Sequence, residues 1–307
     1  MKTLLFISCC FVSAVTVAQE AKHTAFEQQH LGHVIAVKNL AIKNIKLSTG
    51  VELEYAEQGE TDGVPVILLH GFTDSWKSFS PVLPYLPPSL HVFALSQRGH
   101  GNSSKNATQY RPQDFADDVS AFMQAKGIAQ AIIVGHSMGS TNAQCFVARY
   151  PERAKALVLI GTFADYNKPI LTEFKTVIDD LHDPIDSTFI AEFQKSTLTR
   201  PIDGDMLQTF IAESRKVPTH VWKGVAAGWQ SATFLQALSA FQKPTLIIWG
   251  EKDTYSTLDD QVRLQAVLQQ ARFLKYEGIG HANHWEAPEF FARDLVNFIQ
   301  KSSTLSP

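Results

Sequence analysis

Cysteine is almost missing from this sequence. Only three of 307 residues are cysteine, and Cys9 and Cys10 stand together near the start, leaving Cys145 alone in the remainder. That remainder can form no internal disulfide, so the fold must rest on a packed core and not on a cross-linked scaffold. Excess charge of one sign is missing too: 27 lysines and arginines face 30 aspartates and glutamates. Such a balance carries no electrostatic footprint for nucleic acid or an anionic bilayer, and neither partner is expected. Also absent is an uninterrupted apolar run of the ~20 residues that cross a bilayer as a helix. The longest candidate, Thr3 to Val17, is shorter, follows Lys2, and ends at the small residues Thr16-Val17-Ala18 before the polar Gln19-Glu20-Ala21-Lys22. That order is the pattern of a secretory signal peptide over residues 1–18, which predicts a secreted or periplasmic protein with no integral membrane segment after cleavage. Internal repeats and low-complexity tracts are lacking as well.

What is present is apolar material: 45% of residues are hydrophobic and 19% charged, the composition of a soluble globular chain with a large core. Residues 19–39 read as a polar arm. Ile42 to Leu47 and Val51 to Tyr55 flank Ser48-Thr49-Gly50 and predict a hairpin. Further strands are predicted at Pro65–Leu69, His91–Leu95, Ala131–Val134, Ala156–Ile160 and Thr245–Trp249, with helices at Pro81–Leu86, Pro112–Lys126, Met138–Tyr150, Thr257–Gln270 and Pro288–Gln300. Strands apolar on both faces, alternating with helices, predict an α/β fold: a mostly parallel central sheet with helices on both faces. The alternation stops over residues 163–240, which are rich in aromatics and helical patterns but hold no convincing buried strand. They read as a helical cap inserted into a core of residues 40–162 and 241–307, lying over the carboxyl edge of the sheet, where open α/β sheets bind ligands.

The chemistry begins at Gly135-His136-Ser137-Met138-Gly139, placed between the strand Ala131–Val134 and a helix. A sharp strand-to-helix turn with glycine on both sides exposes a serine hydroxyl, but serine needs a base to take its proton and an acid to orient that base. Downstream, Asp253 follows the strand Thr245–Trp249 in Gly250-Glu251-Lys252-Asp253, and His281 follows the apolar run Arg272–Tyr276 in Gly278-Ile279-Gly280-His281. All three fall at carboxyl ends of strands, so Ser137, Asp253 and His281 are the expected nucleophile, acid and base. Asp165, after the preceding strand, is the substitute for the acid. Backbone N–H groups of Met138, after the nucleophile, and of Phe72, in His70-Gly71-Phe72, are the expected oxyanion donors. His284 stands three residues after His281, but no third ligand accompanies the pair, so no metal is expected and His284 reads as a packing residue. His70, His136, Arg98 and His100 read as structural, and Cys145 as a buried inert thiol.

These motifs, with the block Gln97-Arg98-Gly99-His100-Gly101-Asn102-Ser103, resemble the α/β-hydrolase superfamily over residues 40–300, in the capped branch of esterases, cofactor-free haloperoxidases and epoxide hydrolases. One departure is Ser96, where the family often has an aspartate; altered loop hydrogen bonding is expected there. The resemblance implies a serine hydrolase that cleaves carboxylic esters or related acyl compounds, with no cofactor. Lactone cleavage, perhydrolysis and carbon–carbon bond hydrolysis are the alternatives, as is a slow-turnover ligand sensor that retains the triad. A serine at the elbow argues against epoxide or haloalkane opening, for which the family uses an aspartate. Among the cap aromatics, Trp222 and Trp229 are the expected pocket residues.

Overall fold

The structure, a computed structural model, describes residues 39–230, 232 and 234–303. The signal peptide expected over 1–18, and nearly all of the arm expected over 19–39, lie outside the described residues. One eight-stranded sheet organises the chain: β1 (Ala41–Lys46), β2 (Glu52–Gln58), β3 (Val64–Leu69), β4 (Leu90–Leu95), β5 (Ala131–His136), β6 (Ala154–Ile160), β7 (Thr245–Gly250) and β8 (Ala271–Tyr276). Their spatial order is β1-β2-β4-β3-β5-β6-β7-β8. The pairs β1–β2 and β2–β4 are antiparallel, and every later pair is parallel.

The sequence dictates this layering through a period of two. Ile67, Leu69, Phe93, Leu95 and Ile133 turn to one core, and Val66, Leu68, Val92, Ala94, Ile132 and Val134 to the other. Helices α1 (Pro112–Ala125) and α2 (Met138–Arg149) cover the first face, supplying Val119, Phe122 and Phe146. The C-terminal helix Pro288–Ser303 covers the second with Phe291, Leu295 and Phe298. Each such fully buried side chain contributes ~1.5–3 kcal/mol by leaving water.

Two predicted elements differ. The helix predicted at Pro81–Leu86 is a 3₁₀ turn, Leu83–Tyr85, because Pro84 lacks an N–H and Pro87 and Pro88 deny a helix any continuation. The strand predicted at Val51–Tyr55 runs on to Gln58, because its far edge pairs with β4 from Tyr55↔Leu95 to Gln58↔Val92.

Between β6 and β7 come four helices: α3 (Pro169–Asp179), α4 (Ser187–Ser196), α5 (Gly204–Ser214) and α6 (Thr219–Trp229). Asp186 and Asp203 cap α4 and α5 by accepting the N–H of Phe189 and Met206. A 3₁₀ stretch follows, Leu235–Ala240, whose Leu238 joins the sheet core. After β3 the chain moves outward to β4, then returns past β3 to β5. The strand order therefore reverses between β3 and β5, and the loops leaving their carboxyl ends open a crevice there. Among the described residues no helix is long and apolar enough to cross a membrane.

Candidate active site

Ser137 leaves β5 at φ +51°, ψ −116° and caps α2. A non-glycine residue at positive φ is strained, and here the surroundings enforce it. A Cβ on Gly135 would lie 2.2 Å from the Gly139 carbonyl oxygen, and one on Gly139 only 2.1 Å from that of Leu69. Strand and helix thus cross at a distance only glycine permits. Gly139→Ala should cost about 3 kcal/mol or more, since backbone must move; thermal unfolding beside wild type measures it, and an unchanged midpoint would show the crossing to be looser than drawn.

His281 and Asp253 arrive from the ends of β8 and β7. The Ser137 Oγ lies 2.8 Å from His281 Nε2, and His281 Nδ1 lies 2.8 Å from Asp253 Oδ2. Asp253 is buried, and its other oxygen accepts the N–H groups of Tyr255 and Ser256 at 2.8 and 3.0 Å. The Ser256 hydroxyl donates to Oδ2 at 2.5 Å. Both N–H groups and the hydroxyl donate to this carboxyl. The histidine loop is also tied to the insertion: the Thr197 carbonyl accepts both the His281 and Ala282 N–H groups at 3.0 and 3.1 Å. Asp165 is elsewhere engaged, accepting from Arg263 at 3.0 Å.

Across the crevice, the backbone N–H groups of Phe72 and Met138 find no acceptor among the described residues. The loop carrying Phe72 is fixed by His70, whose Nδ1–H donates to the Gly71 carbonyl while Nε2 accepts the Gln97 N–H. Burial holds the His70 imidazole well below its usual range, so it is neutral and can fill both roles. Arg98 donates twice to Asp118 at 2.6 Å. In place of an aspartate at Ser96, the carboxylate comes from Glu54 on β2, which accepts from the Ser96 hydroxyl and the Asn102 amide. Cys145 is buried, its thiol pushed up to about 12 by desolvation.

A cavity opens at Ser137 and His281, walled by Phe72, Phe163, Tyr166, Leu171, Phe174, Phe193 and Trp229 on its apolar side. Trp222 does not line it, contrary to the expectation from sequence. Its side chain is fully buried, donates to the Val217 carbonyl at 3.2 Å, and backs the Phe72 ring at 4.8 Å between centroids. Phe72 occupies the wall in its place. Composition around the two tryptophans could not distinguish a lining residue from its support, because they stand seven residues, about two turns, apart on one face of α6. Sequence reasoning also missed Asp74, Gln194, Thr197 and Tyr255, which line the same cavity. Nothing local marks them: Asp74 reads as a turn residue until α4 brings Gln194 against it.

A family profile described as the alpha/beta hydrolase fold matches residues 64–288. The chain belongs to that family. Among characterised relatives it is similar to Lipase 3 of Moraxella sp., at 26% identity covering 85% of each chain, and to Lipase 1 of Psychrobacter immobilis, at 23% covering 81% of each. Among solved structures, an esterase from Exiguobacterium antarcticum superposes with a TM-score of 0.77 at 20% identity, over 84% of this chain and 99% of that one. That likeness concerns the fold. Among the described residues no group of three or more histidine, cysteine, aspartate or glutamate side chains is placed to hold a metal ion.

Proposed function

We propose that this α/β hydrolase is a serine ester hydrolase that works through an acyl-enzyme on Ser137, and that residues 1–18 export it. The observation that carries the reading is the continuous Ser137–His281–Asp253 relay, 2.8 Å at each link, beside the Phe72 and Met138 N–H groups, for which no acceptor is found among the described residues. In this mechanism His281 Nε2 takes the hydroxyl proton as Oγ attacks the ester carbonyl carbon. The Phe72 and Met138 N–H groups stabilise the oxyanion, each contributing a few kcal/mol to the transition state, roughly 10²–10³ in rate. Asp253 holds the imidazole and stabilises its cation. His281 then returns the proton to the leaving alcohol, and water repeats the sequence on the acyl-enzyme. The aromatic wall supports an apolar acyl or alcohol group, and the lipase names of the relatives agree with ester cleavage.

The test combines turnover with labelling. Wild type should hydrolyse p-nitrophenyl esters over many turnovers, and a fluorophosphonate should add one group per chain, on the peptide holding Ser137, as activity falls to zero. Full labelling without loss of turnover, or a label on another residue, would overturn the assignment.

A further inference from the structure

The cavity is not apolar throughout. Besides the aromatic residues, Asp74, His136, Gln194 and Thr197 line it and form its polar end, with Trp285 near His136. Asp74 and His136 are 3% and 2% exposed. His136 Nε2 faces the His281 carbonyl at 3.2 Å, so that nitrogen carries the proton and Nδ1 is a bare acceptor. Nδ1 has no hydrogen-bond partner. A Cβ built on Gly71 would lie 2.8 Å from this Nδ1 and 3.0 Å from Asp74 Oδ2, so both atoms face the same bare side of that glycine. Gln194 from α4 donates to Asp74 Oδ1 at 3.0 Å, holding the carboxyl in place. Its Oδ2 lies 3.3 Å from the Ser78 hydroxyl, and the Gly71 backbone also donates to the carboxyl. A buried acceptor without a donor costs ~1–3 kcal/mol, and His136 Nδ1, facing the same space as the weakly held Asp74 Oδ2, calls for a donor from outside the chain.

We propose that this end is a substrate subsite: Asp74 Oδ2 and His136 Nδ1 receive a hydrogen-bond donor, a hydroxyl or a protonated amine, carried by the ester that Ser137 attacks. The inference rests on the proposed acyl transfer and names its substrate class, an ester apolar on one side and bearing a donor on the other.

Ionisation of Asp74 supports it. Burial raises this carboxyl to about 7, outweighing the hydrogen bonds from Gln194, Ser78 and the Gly71 backbone and the nearby His281. The other groups facing it are His136 across Gly71 and His284 through Ser78, both held below the usual imidazole range by burial. Next to Ser78 and Ser214, Lys77 and Glu213 pair with each other at 2.7 Å. Above about 7 the carboxylate only accepts; below it the carboxylic acid can also donate.

Two matched series test this. In the first, ethyl butanoate, ethyl 3-hydroxybutanoate and ethyl 3-oxobutanoate vary the acyl side. In the second, propyl, 2-hydroxypropyl, 2-oxopropyl and 2-(dimethylamino)ethyl butanoates vary the alcohol side and separate hydroxyl from ammonium. In at least one series the donor-bearing ester should exceed its plain parent about tenfold or more in kcat/KM, since a site with buried polar groups rejects an analogue that leaves them unpaired. The hydroxy-to-oxo ratio should rise with pH through about 7; any effect of pH on the shared catalytic step is common to both esters and cancels. In Asp74→Asn, the amide oxygen keeps Gln194 and the NH₂ faces the cavity, so preference should swing to the oxo ester and lose its pH dependence. A purely structural Asp74 would alter all esters alike. Ratios near one in both series at every pH would overturn the subsite and leave it to solvent, whether or not the variant folds. If wild type turns over none of these esters, the p-nitrophenyl ester and labelling experiment decides the proposed function by itself. The subsite is then decided by calorimetric binding of the same pairs to Ser137→Ala, where donor preference supports it and equal binding overturns it.

Discussion

Ser137→Ala should lower kcat on a p-nitrophenyl ester by about 10⁵–10⁶ while KM and the unfolding midpoint change little. The reason is geometric. The hydroxyl makes its catalytic contact with His281, at 2.8 Å, and among the described residues no other nucleophilic side chain bonds to that imidazole nitrogen. The backbone at φ +51° is held by the glycine crossing and not by the hydroxyl, so alanine inherits the same turn. His281→Ala should cost nearly as much, and the double variant little more than either single one, because the groups act as one unit. Residual activity above a few per cent of wild type, or additive losses, would place the nucleophile elsewhere.

Asp253→Asn should lower kcat by about 10⁴ with the fold retained. The Tyr255 and Ser256 N–H groups both require an oxygen at the Oδ1 position. Asparagine must therefore place its carbonyl there and its NH₂ toward His281. Nδ1 becomes the acceptor and Nε2 takes the proton, leaving the imidazole unable to receive one from Ser137. The pH–rate profile separates this from simple loss of packing: activity should be depressed on the whole plateau, with partial recovery at high pH, where serine loses its proton without help. A variant within tenfold of wild type at neutral pH would show that the acid is dispensable or supplied by another carboxylate.

Stability at low pH follows a different group. Glu57 is partly buried on β2 and accepts from Lys43, His91 and Lys126, which together outweigh its desolvation and hold it at about 2. A carboxyl depressed in the folded state stabilises above its unfolded pKa and loses that contribution as pH falls. Glu57→Gln should therefore flatten the fall in unfolding midpoint between about pH 4.5 and 2. An equally steep fall in the variant would assign acid sensitivity to other carboxylates.

The parallel sheet was legible because its strands are apolar on both faces and short, so local pattern and burial coincide. The elbow was legible for a similar reason: glycines at two fixed offsets around Ser137 are demanded by a contact between adjacent elements. Asp253 could be ranked above Asp165 by its place after β7, yet the Arg263 pairing that occupies Asp165 could not be read from the chain. Trp222 illustrates the opposite case. An aromatic in a helix is equally compatible with lining a cavity or backing its wall, and only the position of Phe72 decides between them.

By itself, then, the sequence determined the fold class and placed Ser137 and His281 at carboxyl ends of strands, because these depend on neighbours in the chain or on strand ends with strong local signatures. The tertiary structure decided the rest. Loops more than 100 residues apart had to meet before Ser137, His281 and Asp253 became a relay. The insertion had to fold back before Gln194 reached Asp74, 120 residues away, and turned an ordinary loop carboxyl into a buried one. Burial changes what a carboxyl can do, and burial is a property of the assembled molecule.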